Sequence, residues 1–296
     1  MTDKVTIAIE RIKEGALMAE RFTGKPMVVC YSGGKDSDVL LHLAIRAGVE
    51  MEAKNSHTSC DAPETVRHIR QVFARLEDQG IPCKIVYPMY KGKRATMWSL
   101  IAEKGFPPTR LMRYCCSVLK ESANTDRLIA TGVRWDESTA RRSRAIYETL
   151  GGKKEERILA NDNDNARRLF EHCTIKSQYA CNPIIDWTHA DVWTYIRANN
   201  IPYNPLYDEG YKRVGCIGCP MGGYRRMSNE FARWPKYKQM YLHAFGRMLE
   251  TRRRREGLDM VWETAEQVMR WWMQDPNVDG QLTIGEIIAM EAESDE

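Results

Sequence analysis

Pro26-Met27-Val28-Val29-Cys30-Tyr31 runs directly into Ser32-Gly33-Gly34-Lys35-Asp36-Ser37, and the reading of this stretch decides the fold. A short apolar run rich in β-branched residues and bounded by turn residues reads as a buried strand of a parallel sheet. The two glycines permit a tight turn whose amides are free to face a ligand. Asp36, Ser37 and Asp38 then open a helix that carries Val39, Leu40, Leu41 and Leu43. Strand, glycine turn and helix N-terminus together make an anion site suited to phosphate, and Lys35 adds a positive charge beside it.

Outward from this stretch, strand and helix signals alternate. Residues 5–21 read as an amphipathic helix, Val49 to Lys54 as a second strand, Pro63 onward as a helix with Val66, Ile69, Val72, Phe73 and Leu76 on one side, and Pro82 to Val86 as a third strand. Thr96 to Ala102 is helical, Ile129 to Val133 is another strand, and helix signals dominate after Ala190, with helices expected at 191–198, 228–256 and 259–273. The expectation is an α/β fold: a parallel twisted sheet with helices on both faces, its ligand loop at the carboxyl end of a strand, plus a helical C-terminal region. The expected division is an N-terminal helix (1–24), a nucleotide-binding α/β domain (25–205) and a C-terminal cysteine-pair and helical region (206–296). Residues 152–167, rich in Lys, Glu, Asn and Asp, read as a surface insertion.

No apolar run is long enough for a membrane span, and Met1-Thr2-Asp3-Lys4 lacks the order of an export signal, so no membrane partner and a reducing cytoplasm are expected. Net charge is only +4, but residues 224–255 concentrate Arg225, Arg226, Arg233, Lys236, Lys238, Arg247 and Arg252 to Arg255, interleaved with Tyr224, Phe231, Trp234, Tyr237, Tyr241 and Phe245. Cations among aromatics suit a nucleic-acid partner, the acceptor expected here; the alternative is a helix with its aromatics in the core and its cations in water. His57, His68, His172, His189 and His243 have no partner at ligand spacing and read as structural or surface residues.

Nine cysteines, an odd number, argue against a disulfide framework. Cys115-Cys116 and Cys216-Ile217-Gly218-Cys219 form two tight groups. Four thiolates mean zinc or an iron–sulfur cluster. Adjacent cysteines reach one small ion poorly but reach different irons of a cubane, which favours [4Fe–4S]. Cys30 and Cys83 read as core, Cys60 as a buried or incidental residue, and Cys173 and Cys181 carry no motif.

Ser32 to Ser37 does not have the Gly-x-x-x-x-Gly-Lys-Ser/Thr spacing of P-loop ATPases. It resembles the pyrophosphatase loop, Ser-Gly-Gly-x-Asp-Ser, of the adenine nucleotide α-hydrolase superfamily. Arg113-Tyr114-Cys115-Cys116 with Leu119-Lys120 resembles the cysteine-bearing region of the phosphoadenosine phosphosulfate reductase family, and is similar to the ATP-pyrophosphatase component of DNA phosphorothioation systems. Gly132-Val133-Arg134, Glu137-Ser138 and Arg141 look like the family's Gly-x-Arg-x-x-Glu-Ser-x-x-Arg segment. Asn182 to Trp187 and Ile201 to Tyr207 with Gly210 extend the likeness, which runs from about 26 to 221.

The resemblance implies an ATP-dependent sulfurtransferase that cleaves ATP at the α-phosphate, with Mg²⁺ and a [4Fe–4S] cluster. Ser32, Gly33, Gly34, Ser37, Gly132 and Glu137 would contact the nucleotide, and Asn55 and Thr58 the adenine. Lys35, Asp36, Arg134 and Arg141 would be catalytic, and Cys115, Cys116, Cys216 and Cys219 the metal ligands, Cys116 the least secure. A sulfur-donor protein such as a cysteine desulfurase is the implied partner. The alternatives are a reductase of adenylyl sulfate or phosphoadenylyl sulfate and a non-catalytic nucleotide-binding subunit. The reductases use a nucleophilic cysteine in a Glu-Cys-Gly-x-His tail, and no cysteine follows Cys219 here.

Overall fold

The computed structural model describes residues 2–121, 127–150, 178–254 and 262–274. In chain order its elements are α1 (Thr2–Thr23), β1 (Met27–Cys30), α2 (Lys35–Ala47), β2 (Met51–Ser56), α3 (Pro63–Asp78), β3 (Cys83–Val86), β4 (Met89–Tyr90), β5 (Lys93–Arg94), α4 (Met97–Lys104), β6 (Leu128–Ala130), β7 (Tyr147–Leu150), β8 (Gln178–Cys181), α5 (His189–Ala198), α6 (Gly223–Arg233), α7 (Pro235–Arg253) and α8 (Ala265–Met273). They fall into two compact units. The first takes residues 2–56, 63–86, 127–150 and 178–214; the second takes 57–62, 87–121, 215–254 and 262–274. This division differs from the one expected. The N-terminal helix is built into the first unit, where Ala8, Ile12 and Ala19 are fully buried. Two connections between strands, 57–62 and 87–121, leave the sheet and join the C-terminal region.

The first unit is a mostly parallel sheet flanked by helices, in the order β3-β2-β1-β6-β8-β7. The edge strand β7 runs antiparallel to β8. The inner position of β1 explains its composition. Met27 and Val29 enter the main core, while Val28 joins Ile129 and Ala180 in a second cluster. Val39, Leu40 and Leu43 anchor α2. Each such fully buried aliphatic side chain contributes about 1.5–3 kcal/mol, so the helix that bears the glycine loop is firmly seated. Gly132, just past β6, lies against the first turn of α2: a Cβ there would stand 3.1 Å from the Asp36 carbonyl. The carboxyl ends of β1 and β6 therefore meet at one helix N-terminus.

In the second unit α4 and α8 pack on α7, and α6 precedes it. The core is aromatic: Tyr241 lies 4.6 Å from Trp272 and 4.8 Å from Trp98 between ring centroids. The single helix expected at 228–256 is two. Trp234 ends α6 and Pro235 begins α7, because proline has no N–H to continue a helix but fits its first turn. The proposed insertion at 152–167 and Cys173 lie outside the described residues. Among the described residues no helix is long and apolar enough to cross a membrane.

Candidate phosphate loop and cysteine site

The glycine loop of the first unit has the conformation its sequence calls for. Gly33 adopts φ +72, and a Cβ there would come within 2.7 Å of Ile69, so only glycine fits. Gly34 is the N-cap of α2 in an extended conformation. Ser37 ties the loop to the helix: its hydroxyl donates to the Gly34 carbonyl at 2.7 Å and accepts from the Gly34 amide at 3.2 Å and the Ser32 amide at 3.3 Å. The Lys35 amide, at the head of the helix, donates to the Tyr207 hydroxyl at 3.1 Å. Tyr207 thus sits at the positive end of the α2 dipole.

Two of the expected catalytic side chains converge on the carboxylate of a third. Asp36 accepts from Lys35 Nζ at 2.8 Å through one oxygen and from Arg134 Nε at 2.7 Å through the other. Lys35 and Arg134 are 5% and 2% exposed, so these charges are held out of bulk water, where they act over longer range. Arg134 also donates to the Trp187 carbonyl at 3.1 Å. Glu137 accepts from the Arg134 amide at 3.1 Å and pairs with Arg141, linking those residues to the cluster through the backbone. The expected adenine contacts are placed differently. Asn55 lies inside β2 rather than after it, buried, with its amide donating to the Tyr31 carbonyl at 2.9 Å. Thr58 belongs to the second unit and donates to Asp61 at 2.7 Å.

Beneath the loop is a buried trio that sequence reasoning missed. Tyr31 donates to Asp38 at 2.5 Å, and His68 Nε2 stands 3.0 Å from both. Burial raises the Asp38 pKa, opposed by hydrogen bonds from His68 and Tyr31. The three residues come from β1's end, α2 and α3, and no spacing in the sequence connects them; His68 is a core residue with a partner.

All four expected ligand cysteines are in the second unit. Cys115 and Cys116 lie on a helical turn (Tyr114–Cys116) that continues into a π-turn (Ser117–Glu121). Cys216 and Cys219 lie on the C-x-x-C turn. Gly218 has φ +70, and a Cβ there would meet Phe231 at 2.6 Å, so the turn is pressed onto the aromatic core. The buried Glu230 accepts from the Gly218 amide at 2.8 Å and from Arg226 at 2.7 Å, while Tyr241 donates to the Ile217 carbonyl at 2.9 Å. Neither clasp is evident from the motif.

The thiols interact. The Cys115 hydrogen bond and Arg113 hold Cys116 down at about 5, whereas Cys115 is raised, first by the same bond and then by burial, with Cys216 and Cys219 adding to it. Cys60 is fully buried against Cys216, and their hydrogen bond lowers Cys216 to about 7 while raising Cys60. Cys60 is therefore not incidental: an antiparallel bridge, Asp61 to Cys216, brings the two segments together. Lys120 is kept protonated, chiefly by Cys216 and then by Asp61 and Cys116. Burial pushes Cys30 up to about 12 and Cys83 to about 11; both are half-buried at the edge of the core rather than inside it. The donor set is all sulfur, which suits zinc or an iron–sulfur cluster. Among the described residues no three His, Cys, Asp or Glu side chains are grouped as a site for a metal ion.

A sheet-borne glycine loop at a helix N-terminus, with two cations and a carboxylate beside it, defines an α/β nucleotide-binding protein. The model of the phosphoadenosine phosphosulfate reductase domain matches residues 26–221, and the chain belongs to that family. It is 27% identical over 230 residues to an uncharacterized protein of Methanocaldococcus jannaschii, covering 73% of this chain and 41% of that one. A phosphoadenosine 5'-phosphosulfate reductase of Gloeobacter violaceus is 25% identical over 209 residues, covering 70% of this chain and 77% of that one. A solved U34-tRNA thiolase of Methanococcus maripaludis, with its [4Fe–4S] cluster, matches at 16% identity and TM-score 0.42, covering 94% of this chain and 86% of that one. The chain spans less than half the length of the Methanocaldococcus relatives it matches.

Proposed function

We propose that the protein is an ATP-dependent sulfur-transferring enzyme that cleaves ATP between its α- and β-phosphates. The observation that carries this reading is the convergence of Lys35, Asp36 and Arg134 at the N-terminus of α2, behind a loop whose Gly33 has no room for a side chain. The amides and helix dipole bind phosphate, and the two cations stabilise charge that develops as pyrophosphate leaves. An acceptor oxygen attacks the α-phosphorus, the bond to the β-phosphate oxygen breaks, and an adenylated acceptor forms. A sulfide-level sulfur then attacks the adenylated carbon of the acceptor, and AMP leaves with the former acceptor oxygen.

Both Asp36 oxygens already accept from cations; Asp36 would be the residue to hold Mg²⁺, which would supply charge neutralisation to the substrate's phosphates. Cys115, Cys116, Cys216 and Cys219 would hold the cluster, which supplies a site for binding or orienting sulfur. Lys120 holds a positive charge beside those thiols, and Glu230 fixes the turn that presents two of them.

The test is turnover of α-labelled ATP by anaerobically purified protein. Asp36→Asn keeps the shape of the side chain and removes its charge, and should cut AMP and pyrophosphate formation by about 100-fold or more. Unchanged turnover would end this reading of the loop. A second reading, reduction of adenylyl or phosphoadenylyl sulfate to sulfite, is favoured by the family itself and by the named activity of the Gloeobacter relative. It predicts sulfite from a sulfonucleotide and no pyrophosphate from ATP.

A further inference from the structure

The charge on α6 and α7 is almost entirely of one sign and almost entirely outside. Their only carboxylates are Glu230 and Glu250, and Glu230 is 3% exposed and engaged with Gly218 and Arg226. Arg225, Lys236, Lys238, Arg247 and Arg254 are exposed, and none is in an ion pair with a carboxylate among the described residues. Most of the aromatics that alternate with these cations in the sequence do not share their face. Phe231, Trp234, Tyr241 and Phe245 are buried, and Phe231, Tyr241 and Phe245 pack on Trp272. Of the two readings the sequence left open, the structure adopts aromatics in the core and cations in water.

That separation says what such a surface can bind. Lys236, Met240, His243, Arg247, Glu250 and Arg254 recur every three or four residues and are all exposed, so they form one stripe along α7. From Lys236 to Arg254 the stripe runs about 27 Å, with Lys236, Arg247 and Arg254 about 16 Å and about 10 Å apart at the helical rise and Glu250 between the last two. Cations placed along one helix face suit the phosphates of a nucleic-acid backbone. Four buried rings are not offered for base stacking, so the contact is to phosphate and not to bases. Met240 is the one large apolar side chain exposed on α7, too little to insert into a lipid surface.

We propose that the α6–α7 face is a nucleic-acid docking surface that grips the phosphate backbone without reading sequence. This rests on the placement of charge and is independent of the chemistry at the glycine loop.

The test is fluorescence anisotropy with labelled duplexes of about 24 base pairs in two unrelated sequences, titrated at several salt concentrations, without ATP. Vesicles containing phosphatidylserine are measured in parallel. Both duplexes should bind equally, with log K falling against log salt at a slope of about −3 to −4 for four neutralised phosphates. The triple variant Lys236→Glu, Arg247→Glu, Arg254→Glu should lose at least about tenfold in affinity at low salt and most of that slope. The triple Gln variant, which adds no new repulsion, should fall between the two, and both variants should keep the wild-type circular dichroism melt. No duplex binding at low salt, binding unaffected by the triple variants, a strong preference for one sequence, or vesicle binding in place of duplex binding would each overturn the proposal.

Discussion

The glycine loop and the cysteine site are built in opposite ways. The loop takes nearly everything from one stretch of chain: β1, two glycines, Lys35, Asp36 and Ser37 are consecutive, and Ser37 closes the turn on its own neighbours. The cysteine site draws on three remote segments, 58–61, 113–120 and 216–219, held by long-range clasps from Glu230, Tyr237 and Tyr241. A local loop is specified by backbone conformation and is complete without a ligand. A site assembled from distant thiols depends on packing, and its thiols shift one another's protonation in pairs. The first should therefore break through conformation and charge, and the second through loss of a ligand or a clasp.

The largest effect on the loop is the Asp36 substitution, and its counterpart in the cysteine site is Cys216→Ser. Anaerobically purified wild type should carry about four irons per chain by elemental analysis, and Cys216→Ser should lose most of them with the brown colour. One zinc per chain and no iron would replace the cluster by a single ion. Next is Gly33→Ala. A left-handed φ and the Ile69 contact should cost about 1–3 kcal/mol in chemical denaturation, whereas Gly215→Ala, where a Cβ meets nothing, should be milder. Equal costs would undo the claim that the loop is specified by conformation.

A smaller effect sharpens the picture of the thiols. In iron-free protein, alkylation of Cys116 followed by mass spectrometry should set in below the ordinary thiol range, because the thiolate is the reactive form and Cys115 and Arg113 hold its pKa down. Arg113→Met should move that rise upward. A rise near the ordinary thiol range would remove the pairing.

The smallest effect is far from both sites. Burial opposes ionisation of Asp191, but bonds from Lys4 and Thr188 outweigh it and hold the carboxyl at about 2. Its contribution is therefore present above the unfolded value of about 4 and is lost as pH falls towards 2. Lys4 is 38% exposed at the side chain, so Lys4→Met should cost less than about 1 kcal/mol at pH 7, a cost that shrinks as pH falls through about 2, measured by urea denaturation.

What the sequence disclosed follows the same contrast. The strand, turn and helix around Ser32 to Ser37 were legible because apolar run, glycines and cap are neighbours, and β1 and α2 lie within two residues of their expected bounds. The cysteine pairs were legible by their spacing. Tyr207 at the helix N-terminus, the Tyr31–Asp38–His68 trio, Glu230 beneath the C-x-x-C turn and Cys60 against Cys216 were not, because each is a meeting of segments remote in the chain. The helix expected over 228–256 divides at Trp234-Pro235, and the burial of the aromatics around that break was decided by packing against Trp272.

The central claim is that the loop breaks ATP at the α-phosphate. Anaerobic, iron-replete protein given ATP·Mg²⁺ or adenylyl sulfate in parallel, with a thiol reductant, should release pyrophosphate and AMP from ATP and no sulfite from the sulfonucleotide. Sulfite from adenylyl sulfate with no pyrophosphate from ATP would contradict it and make the protein a reductase.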